Sequence, residues 1–122
     1  MGIVNIAVIG AGYLGKFHAQ KYAALENCHL AGLIDKDSAT LDEMTNLYPD
    51  AKVSDDFHTL IADIDAVSIV TSTPSHYEIA KQFLSQGKHV LLEKPMTSTS
   101  QQAEELIKIA EDNHCILQIG HI

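Results

Sequence analysis

The sequence predicts a doubly wound α/β fold, one domain with a parallel sheet of about six strands and helices on both faces. Three observations carry that prediction. The chain is 122 residues long, enough for one core and too short for a second of comparable size. Short apolar runs rich in β-branched residues alternate along it with segments at helical spacing. A glycine-rich turn joins the first run directly to the first helical segment. With 46% hydrophobic residues the chain is not disordered, and no apolar run approaches the ~20 residues of a bilayer crossing.

The elements follow in order. Residues 3–9 form a short run ending at Gly10, as expected of a strand buried on both faces. Residues 13–25 place Leu14, Phe17, Tyr22 and Leu25 at near-helical spacing. A second strand spans 29–34 and ends at Asp35. Asp37 or Ser38 then caps a helix whose face is marked by Leu41, Met44 and Leu47, and Pro49 ends it. Residues 51–53 make a short third strand and 57–62 a brief helix. The run IDAVSIVT at 64–71 is the most strand-like in the chain. Ser75 is expected to cap a helix through Gln86, with Gly87 at its end. A fifth strand spans 89–92, the polar stretch 97–100 opens a last helix with a stripe of Ala103, Leu106, Ile107 and Ala110, and 115–119 is a sixth strand.

Charge narrows the partners. Eight Lys and Arg against 16 Asp and Glu leave −8, which argues against a nucleic-acid binder, since that needs a clustered basic face. Phosphate held by backbone amides remains compatible, because it requires no net positive charge. Cys28 and Cys115 are too few and too far apart for a disulfide framework or a metal cluster, and both start strands at the end away from the crevice. The N-terminal MGIVNIAVIG has neither a basic stretch nor a small-residue cleavage site, so it reads as a strand and not a signal peptide. A cytoplasmic, soluble domain is the expectation, with no membrane or nucleic-acid partner.

Residues 10–15 spell G-x-G-x-x-G between a strand and a helix, the context that gives this pattern meaning. Gly10 permits the tight turn, Gly12 lets the backbone approach a pyrophosphate, and Gly15 lets helix and strand pack closely. Tyr13 and Leu14 lie within the same loop. The anion rests on unpaired amides at the helix N-terminus. About 20 residues on, Asp35 stands where a carboxylate accepts the adenosine-ribose hydroxyls of a dinucleotide in a Rossmann fold. A carboxylate there repels a 2′-phosphate and favours NAD over NADP, while Lys36 beside it leaves NADP open.

Other groups also lie where the crevice is expected, beyond the strand C-termini. Thr71, Thr73 and Pro74 follow the fourth strand, and the threonines are candidates to contact the nicotinamide ribose. His76 reads as a surface or capping histidine, and is kept as a cofactor-binding candidate. Glu93 and Lys94 follow the fifth strand. Lys94 is the catalytic candidate, since a lysine there can donate to a substrate hydroxyl or a ribose; a solvated lysine in a turn is the alternative. Pro95 restricts it to an extended backbone. His18, mid-helix, reads as a packing or hydrogen-bonding residue. His29, His58, His89 and His114 lack metal-ligand spacing, so no metal site is predicted.

With those residues laid out, the chain resembles the N-terminal domain of the glucose–fructose oxidoreductase / inositol dehydrogenase / MocA family. GAGYLG at 10–15, Asp35, TPSHYEIA at 73–80 and GKHVLLEKPM at 87–96 carry the resemblance, and E-K-P is its most specific part. The resemblance implies NAD(P)-dependent oxidoreductases that interconvert a secondary alcohol and a ketone on sugars, inositols or nucleotide sugars. It gives Lys94 a role at the substrate and the nicotinamide ribose. Family members run to roughly twice to three times this length, and a second domain supplies the acid/base residue and most of the substrate pocket. The expectation is therefore the NAD(P)-binding part of a longer enzyme, a homo-oligomer when full length, whose 122-residue piece does not turn over alone. A non-catalytic dinucleotide-sensing module is the alternative.

Overall fold

The structure, a computed structural model, describes residues 3–10, 13–93 and 97–120, and the side chains of Tyr13, Leu14, Phe17 and Thr73 are outside that description. Its elements are β1 (Val4–Ile9), α1 (Tyr13–Ala24), β2 (Cys28–Ile34), α2 (Ser38–Leu47), β3 (Lys52–Ser54), β4 (Ala66–Ile69), α3 (Thr73–Ser85), β5 (His89–Leu92), α4 (Ser100–Asp112) and β6 (Leu117–Ile119). The strands form one six-stranded sheet in the order β3-β2-β1-β4-β5-β6. Every pairing in it is parallel. Successive strands step outward from β1 on one side and from β4 on the other, so the winding reverses between those two.

Right-handed crossovers then place the helices on opposite faces. On one face α1 packs against β1 and β2, and α2 against β2 and β3. Ile6, Val8, Leu30 and Leu33 of the strands meet Ala19, Tyr22 and Met44 there. The other face carries α3 and α4 over the β4 side and a pair of 3₁₀ turns, Phe57–Thr59 and Ile61–Asp63, over the other. Phe83 and Leu84 of α3, Leu106 of α4 and Leu60 between the turns fill that layer, each at 1% exposure or less. Gly32 in β2 lies under Leu60: a Cβ there would come within 2.5 Å of a Leu60 methyl, so Leu60 would have to shift. No helix among the described residues is long and apolar enough to cross a membrane.

Several sequence expectations shift. The brief helix at 57–62 is the pair of 3₁₀ turns, and Ile64 is a core residue of the connection instead of part of the fourth strand. Ser75 does not cap α3: the cap position lies three residues earlier, at Ser72, with Pro74 in the first turn, where a missing N–H costs nothing. Of the expected α2 face only Met44 is buried, and Leu47 is 57% exposed. Ile107 of α4 is likewise exposed, whereas Leu106 and Ala110 are buried. Asp37 is the α2 cap, its carboxylate accepting from the Thr40 amide at 2.9 Å. Hydrogen bonds from the Thr40 hydroxyl and amide hold that carboxyl below the usual carboxylate range.

Candidate functional site

The C-terminal ends of β1, β2 and β4 are tied together by backbone bonds. The Gly10 amide donates to Ile34 O at 2.7 Å, and the Val70 amide to Ile9 O at 2.8 Å. This bonding brings Gly10, Asp35 and Thr71, far apart in sequence, to the rim of one crevice. Gly10 adopts φ +92, which disfavours any side chain, and a Cβ there would also press on the Val70 carbonyl carbon at 3.0 Å. Gly15 is more constrained still. A Cβ on it would stand 1.8 Å from the Gly10 carbonyl oxygen, so the first turn of α1 lies directly against the end of β1.

The crevice has a volume of about 670 Å³, within the range of small-molecule and cofactor sites. Its floor and one wall are apolar, from Ile9, Ile34, Val70, Phe57 and Ile79. Its rim is acceptor-rich: Asp35, Asp55 and Glu78 stand with Lys36, Thr71, Ser72 and Ser75. Asp35 accepts the Asp37 amide on one oxygen at 2.9 Å. The Ser75 hydroxyl donates to Ser72 O at 2.7 Å, so the Thr71 hydroxyl, 2.6 Å from Ser75 Oγ, donates to it and turns its lone pairs outward. An apolar slot with a donor-seeking rim, next to a backbone turn without side chains, fits the adenosine end of a dinucleotide. Asp55, Phe57, Glu78 and Ile79 were not singled out as site residues in sequence, because only the folded sheet brings the connection after β3 and the N-terminal half of α3 to this rim.

The structure relocates two of the sequence candidates. His76 is not a surface residue: it is 1% exposed, and its Nε2 donates to Thr71 O at 2.9 Å, bracing the β4–α3 turn from within. Glu93 is 6% exposed, with Oε1 2.8 Å from His18 Nε2. His18 Nδ1 lies 2.8 Å from Ser68 Oγ, which lies 3.0 Å from the Tyr22 hydroxyl. Burial pushes the Tyr22 phenol up, partly offset by its bond to Ser68. His18 is thus the hydrogen-bonding residue its position suggested. Gly12, Lys94 and Pro95 lie outside the described residues, and Pro74, described at the head of α3, is exposed.

Among the described residues no group of three or more His, Cys, Asp or Glu side chains is arranged so that it could hold a metal ion.

Comparison with known proteins agrees with this geometry. Residues 4–121 match the family model described as the oxidoreductase family with an NAD-binding Rossmann fold. The chain is 45% identical over 120 residues to the UDP-N-acetylglucosamine 3-dehydrogenase of Acidithiobacillus ferrooxidans, covering 98% of this chain and 37% of that protein. It is 27% identical over 121 residues to the scyllo-inositol 2-dehydrogenase (NADP(+)) IolW of Bacillus subtilis, covering 97% and 33%. The crystal structure of GenD2 from gentamicin A biosynthesis in complex with NAD superposes with a TM-score of 0.93 at 26% identity, covering 98% of this chain and 35% of that one. The chain thus spans about a third of the length of these relatives. Glycine turn, sheet order and sequence agree over nearly every residue: the chain belongs to the Gfo/Idh/MocA oxidoreductase family, as its NAD-binding Rossmann domain.

Proposed function

We propose that this chain binds a nicotinamide adenine dinucleotide across the β1–β4 switch point. The intact protein, on this reading, is an oxidoreductase that interconverts a secondary alcohol and a ketone on a sugar-like substrate. One observation carries the reading: a turn with no room for side chains at Gly10 and Gly15 opens onto an apolar crevice rimmed by Asp35. The amides at the head of α1 would face the pyrophosphate, and the Asp35 carboxylate would accept the adenosine-ribose hydroxyls. NAD is the preferred form, because a 2′-phosphate beside Asp35 would meet a rim that also carries Asp55 and Glu78, against Lys36 as the one cation among the described lining residues. When bound, the nicotinamide supplies or accepts the hydride. Thr71 and Thr73 lie on the side of the nicotinamide ribose, and Lys94 is assigned to donate to the substrate hydroxyl. The 45% identity to a UDP-N-acetylglucosamine dehydrogenase supports a nucleotide sugar as substrate.

Titration of NADH fluorescence with the chain tests the cofactor half of this reading. NADH is expected to bind more tightly than NADPH, and Gly15→Ala to weaken NADH at least about tenfold, because its methyl displaces the Gly10 carbonyl. Unaltered NADH affinity in Gly15→Ala removes the site from the glycine turn. For the catalytic half, the longer protein is assayed against sugars and nucleotide sugars beside Lys94→Ala. Tight cofactor binding without reduction of NAD⁺ by any substrate favours a sensing module instead.

A further inference from the structure

The buried set Tyr22, Ser68, His18 and Glu93 has no part in the site as described so far, and its construction calls for a reason. Four polar side chains lie between α1 and the sheet, each at 6% exposure or less. Three secondary elements contribute: His18 and Tyr22 from α1, Ser68 from β4, and Glu93 from the residue that leaves β5. An ionised Glu93 only accepts, so His18 Nε2 carries the proton and donates to it. Ser68 Oγ bridges His18 Nδ1 and the Tyr22 hydroxyl, since a hydroxyl both donates and accepts. No buried side-chain nitrogen or oxygen among the described residues lacks a partner. Burying such a set is no route to stability, since apolar side chains of similar volume would serve as well. What it provides is geometry that apolar packing cannot specify.

The geometry it specifies joins α1 to β4 and to the carboxyl end of β5. His18 is one turn beyond Gly15, on the helix whose head forms the glycine turn. Ser68 pairs in register with Val8 of β1. Glu93 is held to the sheet by its amide, which donates to Ile69 O at 3.3 Å, and it is the residue directly before Lys94. The imidazole therefore joins the helix under the pyrophosphate turn to the point where the chain exits β5. Asp35, on the β2 side, serves the adenosine half of the crevice; the β4–β5 side is left to the other half of a dinucleotide.

We infer that His18 is a positioning residue: through Glu93 it sets the β5 exit relative to the glycine turn, and so aligns the surface that meets the nicotinamide half. This inference rests on the dinucleotide reading above. It separates from a purely structural role because a dinucleotide can be shortened. ADP-ribose keeps the adenosine half and the pyrophosphate but lacks the nicotinamide, so it should be blind to the β5 exit.

Calorimetric titration of the chain with NADH and with ADP-ribose makes the test. The wild-type chain is expected to bind NADH more tightly than ADP-ribose. His18→Leu should weaken NADH about tenfold, the equivalent of one lost charge-assisted bond, and leave ADP-ribose within about twofold. His18→Gln, whose amide still reaches Glu93 as a donor, should recover most of the NADH affinity. If His18→Leu does not fold, Ser68→Ala carries the same comparison, since it frees Nδ1 with little change of volume; a smaller loss confined to NADH is then expected. Equal weakening of both ligands, no weakening of either, or equal wild-type affinities for the two overturn the inference. A wild-type chain that binds neither ligand overturns the dinucleotide reading itself, a separate result.

Discussion

A single missing methyl decides more at this site than any charged group. Gly15 has its place because the Gly10 carbonyl occupies the volume a Cβ would take, and Gly10 because its φ is positive. Both were legible in the sequence, since spacing and the flanking strand and helix patterns state the requirement. His76 and Glu93 were not, because a polar side chain's burial depends on what the opposite element offers. Thr71 O and His18 are those offers, 5 and 75 residues away. On the surface the same chemistry is visible in a pair two residues apart. Asp56 accepts from His58 Nδ1 at 2.8 Å and from the His58 amide, which lowers the carboxyl; the Asp56 bond, with a second to Gln82, raises the imidazole. The histidine's contribution is full below about pH 6.5 and lost as pH rises through its raised value. The aspartate's is present above about pH 4 and lost as pH falls through its lowered one. The pair therefore acts between about pH 4 and 6.5, weakly, because it is solvent-exposed. Asp56→Asn should move the His58 midpoint down toward 6.5 in an NMR titration, and an unmoved midpoint would contradict the pairing.

Elements repeat the pattern of local clarity and distant ambiguity. The β5 bounds follow from short-range signals and the structure reproduces them, and of the two caps the sequence left open for α2 it takes Asp37. Asp37→Ala should lower the urea unfolding midpoint, as the loss of an N-cap does, whereas Asp37→Ser should lower it far less. The start of α3 was misplaced because a serine after Thr-Pro is a plausible cap, yet proline is better tolerated inside the first turn than before it. The β4 bounds were too wide for another reason. Ile64 is as apolar as the strand, and only the partner strand decides where laddering starts: Ala66, opposite Ile6.

The whole molecule adds what neither scale contains. Its two apolar layers are separate, and the α3–α4 layer is held by Phe83, which contacts Phe57 across it with ring centroids 5.6 Å apart. Phe83→Ala should cost about 3–5 kcal/mol by denaturant unfolding, a large share of the ~5–15 kcal/mol typical of a domain. A loss below about 1 kcal/mol would mean that the layer collapses around the void. Alternating periodicity, the glycine turn and Asp35 were enough, with no coordinates, to establish a parallel doubly wound sheet and the dinucleotide class of its crevice. Those features are local, because strand runs, helix spacing and backbone freedom are properties of neighbours in the chain. Only the folded sheet decided that Asp55, Phe57 and Glu78 share a rim with Asp35, and that Glu93 turns inward to His18. Such contacts join residues far apart in sequence, and their energy depends on the approach of elements that no local pattern encodes.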